Sequence, residues 1–160
     1  MNIKKHVISR ALAVSMLFVF GCKKDNASKI DTEYPVIDIA AADAFPKQCS
    51  NLTRGQKFNF KAHFSDNAEL GSYSLDIHHN FDHHSHSTEV EECAESPVKA
   101  PVKPLLLIKT QEIPKGQKSF IANLEVDVPA DVDPGDYHFV IRLTDQEGWQ
   151  TIKGLSIKVN

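Results

Sequence analysis

KSFIANLEVDV, residues 118–128, places Phe120, Ala122, Leu124, Val126 and Val128 on alternate positions, with Asn123, Glu125 and Asp127 between them. Successive side chains of a strand point to opposite faces, so this period of two marks a half-buried strand. The same period recurs on both sides. YHFVIRLT (137–144) sets Tyr137, Phe139, Ile141 and Leu143 on one face, and residues 149–159 set Leu155, Ile157 and Val159 inward. Gly154 breaks that last alternation and predicts a bulge. Upstream, QKFNFKAHF (56–64) aligns Phe58, Phe60, Ala62 and Phe64, while GSYSLDIHH (71–79) aligns Tyr73, Leu75 and Ile77. YPVIDIA (34–40) reads as a first strand, placed at an edge by Pro35. LLLIKT (105–110) reads as a short buried strand.

Turn clusters separate these runs: Ser65-Asp66-Asn67, Asp133-Pro134-Gly135-Asp136, and Asp145 to Gly148. About seven short strands without helical periodicity predict an all-β fold, an immunoglobulin-like antiparallel β-sandwich over 34–160. A jelly roll is the other all-β reading, one strand short. Tyr137 follows a Pro-Gly turn at the start of its strand, where a tyrosine corner would sit.

The N-terminus has a different character. Lys4, Lys5 and Arg10 precede the apolar run ALAVSMLFVF (11–20). A span needs about 20 apolar residues; this shorter run suits a secretory signal. Val19-Phe20-Gly21-Cys22 resembles a bacterial lipobox, with an apolar residue at −3, a small one at −1 and cysteine at +1. The expected order is therefore a signal peptide (1–21), lipidated Cys22 with a flexible polar tether (22–33), and the sandwich domain (34–160). Two or more acyl chains anchor a protein stably. Lys23, rather than Asp, after the cysteine points to an outer membrane lipoprotein, periplasmic or surface-exposed.

Without residues 1–21 the chain has 15 basic against 21 acidic residues, a net charge of −6 with histidine neutral. That argues against nucleic acid as a partner, which calls for a basic face. Cys49 and Cys93 remain, and an oxidising compartment predicts a disulfide between them. Closing a loop of that length is worth about 4 kcal/mol by chain entropy. Thiolate metal ligands are the other possibility. No G-x-S-x-G, H-E-x-x-H or phosphate-binding glycine loop is present. Glu91-Glu92 lacks an apolar setting that would raise a pKa. The expectation is a protein that is not an enzyme.

The chemistry concentrates in DIHHNFDHHSH (76–86), where His78, His79, His83, His84 and His86 fall within nine residues. Neutral imidazole is the commonest metal ligand and suits zinc, copper and nickel. Asp82 adds a carboxylate ligand, and Asp76 could orient a histidine ring from behind. In an immunoglobulin-like sandwich the third and sixth strands are neighbours. His78 and His138 both face away from the core, so they are expected to meet on one sheet face with the histidine loop folded over them. The absence of methionine around these residues argues against Cu(I). Zn²⁺ is the first choice, with Cu²⁺ or Ni²⁺ as alternatives. Imidazole binds metal only when neutral, so affinity should fall below about pH 6.

The phrases SDNAELGSYSLDIHHNFDHHSHS (65–87) and PGDYHFVIRLTDQEGW (134–149), with Cys93 between them, resemble a family of small Bacteroidota-type lipoproteins classed as a domain of unknown function. The resemblance covers nearly all of residues 34–159 and implies an exported lipoprotein with an immunoglobulin-like domain. It implies no activity. The function expected from the residues is capture, buffering or delivery of a transition metal, with an outer-membrane metal transporter as a partner beside the membrane itself. The alternative is a non-catalytic adhesion or carbohydrate- or protein-binding module with an incidental His-rich loop.

Overall fold

Among the described residues, eight strands in two sheets account for the alternation. The computed structural model describes residues 30–85 and 93–160, and Asp31–Asn160 pack as one unit. The strands are β1 (Val36–Asp38), β2 (Ser50–Leu52), β3 (Lys57–Ser65), β4 (Leu70–His79), β5 (Leu107–Glu112), β6 (Ser119–Asp127), β7 (Gly135–Asp145) and β8 (Gln150–Val159). One sheet has the order β1-β3-β6 and the other β2-β8-β7-β4-β5. No helix occurs among the described residues, so the fold is an all-β sandwich. The expected signal, Cys22, the tether up to residue 29, and His86 lie outside the described residues.

The inner faces meet as the period of two requires. Phe60 and Phe64 of β3 pack on Tyr73 of β4, and Phe60 also stacks on Phe139 of β7 with ring centroids 5.8 Å apart. Leu75, Ile77, Ile141, Leu143, Leu155 and Ile157 complete a core without solvent access. Burial of this apolar area is the main force holding the two sheets together.

Four details differ from the sequence reading. β2 was not expected: its three residues carry one apolar side chain, Leu52, too few to show a period. It also pairs parallel to β8, an exception in a sandwich otherwise antiparallel. β5 is not a buried strand. It lies at the edge beside β4, and Ile108 on its outer face is 68% exposed. Gly154 continues the β7–β8 ladder opposite Val140 without a bulge. The register shift falls instead at Gly71, between Leu70 and Ser72. A Cβ there would lie 2.7 Å from the carbonyl oxygen of Asp145, so only glycine allows the strands to approach.

Two expectations hold. Cys49 and Cys93 form a disulfide with Cα atoms 5.6 Å apart. Tyr137 makes a tyrosine corner: its hydroxyl donates to the Asp133 carbonyl at 2.6 Å and accepts from the Leu105 amide at 3.1 Å. Leu105 is buried, so removing the hydroxyl leaves its N–H without that acceptor. Tyr137→Phe is therefore expected to destabilise the domain by about 1–3 kcal/mol. Urea unfolding should show a lower midpoint at an unchanged slope; an unchanged midpoint would mean the corner contributes nothing.

Candidate metal centre

His78 near the end of β4 and His138 near the start of β7 are register partners. Both sit on the face turned away from the core, as the alternation dictates. His138 is nonetheless 0% exposed. The cause is the segment after β4, which folds back over this face. Asn80 N–H donates to the Asp136 carbonyl at 2.8 Å, and His83 N–H to the Asn80 carbonyl at 3.3 Å. His83 takes φ 56°, in the left-handed region uncommon outside glycine. That bend sets His84 over the strand pair. Ring centroids are 5.9 Å apart for His78–His84, 5.3 Å for His78–His138 and 4.8 Å for His84–His138.

Each ring of the trio has one nitrogen engaged by an oxygen. His78 Nδ1 lies 2.9 Å from Asp76 Oδ1, His84 Nδ1 2.6 Å from Asp82 Oδ1, and His138 Nε2 3.1 Å from the His84 carbonyl. A carbonyl can only accept, so His138 donates from Nε2. An ionised carboxylate also only accepts. The side-chain hydrogen bond with His84 is the main reason the Asp82 carboxyl is held below the usual carboxylate range, which keeps it ionised. A neutral imidazole has one N–H and one lone pair. With the rings neutral and so bonded, the lone pairs would fall on His78 Nε2, His84 Nε2 and His138 Nδ1. Potential ligand nitrogens of the three rings lie within 4.8 Å of one another. Zinc at its usual Zn–N distance would draw three such nitrogens to roughly 3.3 Å apart. An oxygen behind each ring is the arrangement that fixes tautomer and raises ligand basicity in metal sites.

The remaining predicted residues are placed elsewhere. His79 follows His78 on the strand and therefore points to the opposite face, where its ring packs on Phe81 at 4.9 Å. His83 turns toward the chain after the disulfide. Its Nε2 donates to the Ser96 carbonyl at 2.8 Å, and its Nδ1 lies 3.2 Å from Glu95 Oε2. It clamps the loop rather than joining the trio. Asp82 and Asp76 both stand behind rings as hydrogen-bond acceptors, one of the two roles their carboxylates could take. His63 is on the other sheet, paired with Asp43 at 2.9 Å.

One polar residue beneath the loop gave no signal in the sequence. Asp136 is buried and accepts from Ser96 N–H at 2.6 Å, with Lys158 Nζ 3.5 Å away. It ties the returning chain to β7 and β8. At the opposite end of β4 and β7, Asp31, Asp66 and Asp145 also converge. Asp66 and Asp145 lie in turn clusters visible in the sequence, but their proximity to Asp31 was not.

The model of a family described as a domain of unknown function, DUF4625, matches residues 20–160. No curated protein matches the chain.

Asp82→Ala removes the acceptor behind His84, and Asp76→Ala the one behind His78. Each is expected to weaken Zn²⁺ affinity roughly 10–100-fold, measured by competition with a chromophoric chelator. His79→Ala should leave it unchanged. Equal losses in all three would mean the affinity tracks general destabilisation and not this centre.

Proposed function

The chain belongs to the DUF4625 family, and we propose that its domain is a metal-binding module that holds a transition-metal ion, zinc foremost, between β4, β7 and the loop over them. The convergence of His78, His84 and His138, each with an oxygen behind its ring, carries this reading. Imidazole nitrogens suit Zn²⁺, Cu²⁺ and Ni²⁺, and no thiolate or thioether joins them to favour Cu(I). Among the described residues three ring nitrogens converge, and the fourth position of zinc's usual shell would be taken by a donor outside that set: His86, water or a group from a recipient protein.

Capture, buffering or delivery calls for an exchangeable position at the ion, whereas permanent structural binding closes all four. His138 forms the buried floor of the centre, and the more exposed His84 forms its rim. The signal features in residues 1–21 and the lipobox at Cys22 support an outer membrane lipoprotein, periplasmic or surface-exposed. An outer-membrane metal transporter is the recipient this location favours. The role is non-catalytic.

The test is calorimetry on the full chain in detergent with Zn²⁺, Cu²⁺ and Ni²⁺ at neutral pH. One ion per chain is expected, with His84→Ala at least about 10-fold weaker and His63→Ala, on the other sheet, close to the parent. A Co²⁺ complex should show the strong visible bands of a tetrahedral site. Binding lost with His83→Ala but kept with His84→Ala would reassign the ligands, and no saturable binding would overturn the reading. Separately, Cys22→Ser should move the protein from the membrane to the soluble fraction.

A further inference from the structure

Asp31, Asp66 and Asp145 each bring a carboxylate to one point at the end of the sandwich opposite the histidines. An oxygen from each lies within 4.8 Å of the others. Oxygens bound to one Ca²⁺ at its usual distance can be at most about 5 Å apart, twice the bond length. The three come from separate elements: the segment before β1, the β3–β4 turn, and the end of β7.

Each carboxylate is aimed by its own surroundings through Oδ1. Asp66 Oδ1 accepts from the Ala68 and Glu69 amides at 2.8 and 2.9 Å. Asp145 Oδ1 accepts from the Gly148 and Trp149 amides at 2.6 and 2.7 Å. Asp31 Oδ1 accepts from the Glu33 amide at 3.0 Å and from Asn67 Nδ2 at 2.8 Å.

The second observation concerns the other oxygens. Asp145 is only 4% exposed, and its Oδ2 is buried with no hydrogen-bond partner; Asp66 Oδ2 is in the same condition. Among the described residues no lysine, arginine or histidine pairs with Asp66 or Asp145. Carboxylates buried together repel, and each loses hydration. Protein cations neutralise such charge elsewhere in this domain, as Lys61 and His63 do for Asp43.

We infer that Asp31, Asp66 and Asp145 form a second metal site, for a hard divalent cation of the Ca²⁺ class, distinct from the histidine centre. An all-oxygen set of three carboxylates suits Ca²⁺ and lacks the nitrogen or sulfur donors that zinc takes in most of its sites. The flexible, high coordination of Ca²⁺ accommodates added water and carbonyl ligands, whereas Mg²⁺ demands a near-ideal octahedron. The site also fastens the chain where it enters the domain. Trp149 Nε1 donates to the Asp31 carbonyl at 3.0 Å, and the Tyr34 ring packs edge-on against Trp149 at 5.0 Å. Bound Ca²⁺ would join that entering segment to both turns.

Trp149, the single tryptophan, reports on this site directly. The full chain in detergent, stripped with EGTA, is titrated with Ca²⁺ while tryptophan fluorescence and thermal unfolding are followed. A saturable fluorescence change at one Ca²⁺ per chain is expected, with Tm raised by at least about 5 °C at saturation. Asp66→Asn should abolish both responses while staying folded, and should melt higher than the parent in EGTA because repulsion is relieved. His84→Ala should keep both responses, which separates this site from the histidine centre. A parent insensitive to Ca²⁺, or a response that survives in folded Asp66→Asn, would overturn the assignment.

Discussion

Side chains alternate along a strand, so the register that puts His78 opposite His138 fixes much else in the domain. The same antiparallel ladder runs nine residues along β4 and ends with Leu70 opposite Asp145. One parity along it supplies Tyr73, Leu75, Ile77, Phe139, Ile141 and Leu143 to the core. The other supplies Asp76, His78 and His138 to the outer face. A slip of one residue would exchange the two sets, exposing the apolar row and burying the imidazoles. The hydrophobic demand for one register therefore also positions the chemistry, and the histidine pair needs no separate device to align it.

What the ladder does not supply is the cover over its outer face. That comes from the loop after β4, which is held by polar contacts as well as by burial of Phe81 against Tyr137. Asp136 accepts the Ser96 amide, His83 grips the Ser96 carbonyl, and Asn80 is bound to the Asp136 carbonyl. The disulfide fixes Cys93 beside Cys49, near the last strand, where the Cys49 amide donates to the Ser156 carbonyl at 2.8 Å. A loop held this way encloses a polar group such as His138 without asking it to pack against hydrocarbon. Its hydrogen bond to the His84 carbonyl meets the requirement that a buried polar group be satisfied.

Seven of the eight strands were legible in the sequence, six from alternating apolar residues and LLLIKT from its continuous apolar run. Ser50–Leu52 was not, since three residues with one leucine carry no period. LLLIKT misled in the opposite sense: apolar character does not say whether a strand has a neighbour on both sides. In the site, parity was enough to bring His78 to His138. It could not tell which loop histidine would cover them, because that depends on the left-handed turn at His83, a conformation its residue type does not announce. The same turn removed His83 from the trio. His79 could have been set aside by parity alone, as the immediate neighbour of an outward residue. The three aspartates were hidden by distance along the chain. Asp66 and Asp145 each read as ordinary turn residues, and only the strand pairing makes them neighbours.

The two groups of candidate ligands lie at opposite ends of one stiff object. Eight residues separate Leu70 from His78, roughly 26 Å of extended strand at about 3.3 Å per residue. Asp31, where the described domain begins, belongs to the acidic end. A pull on the chain before residue 31 is therefore taken up at that end, and the imidazoles ride at the tip of the boom formed by β4 and β7. An ion held by the imidazoles would therefore sit a full strand length from the point where the described chain enters the domain.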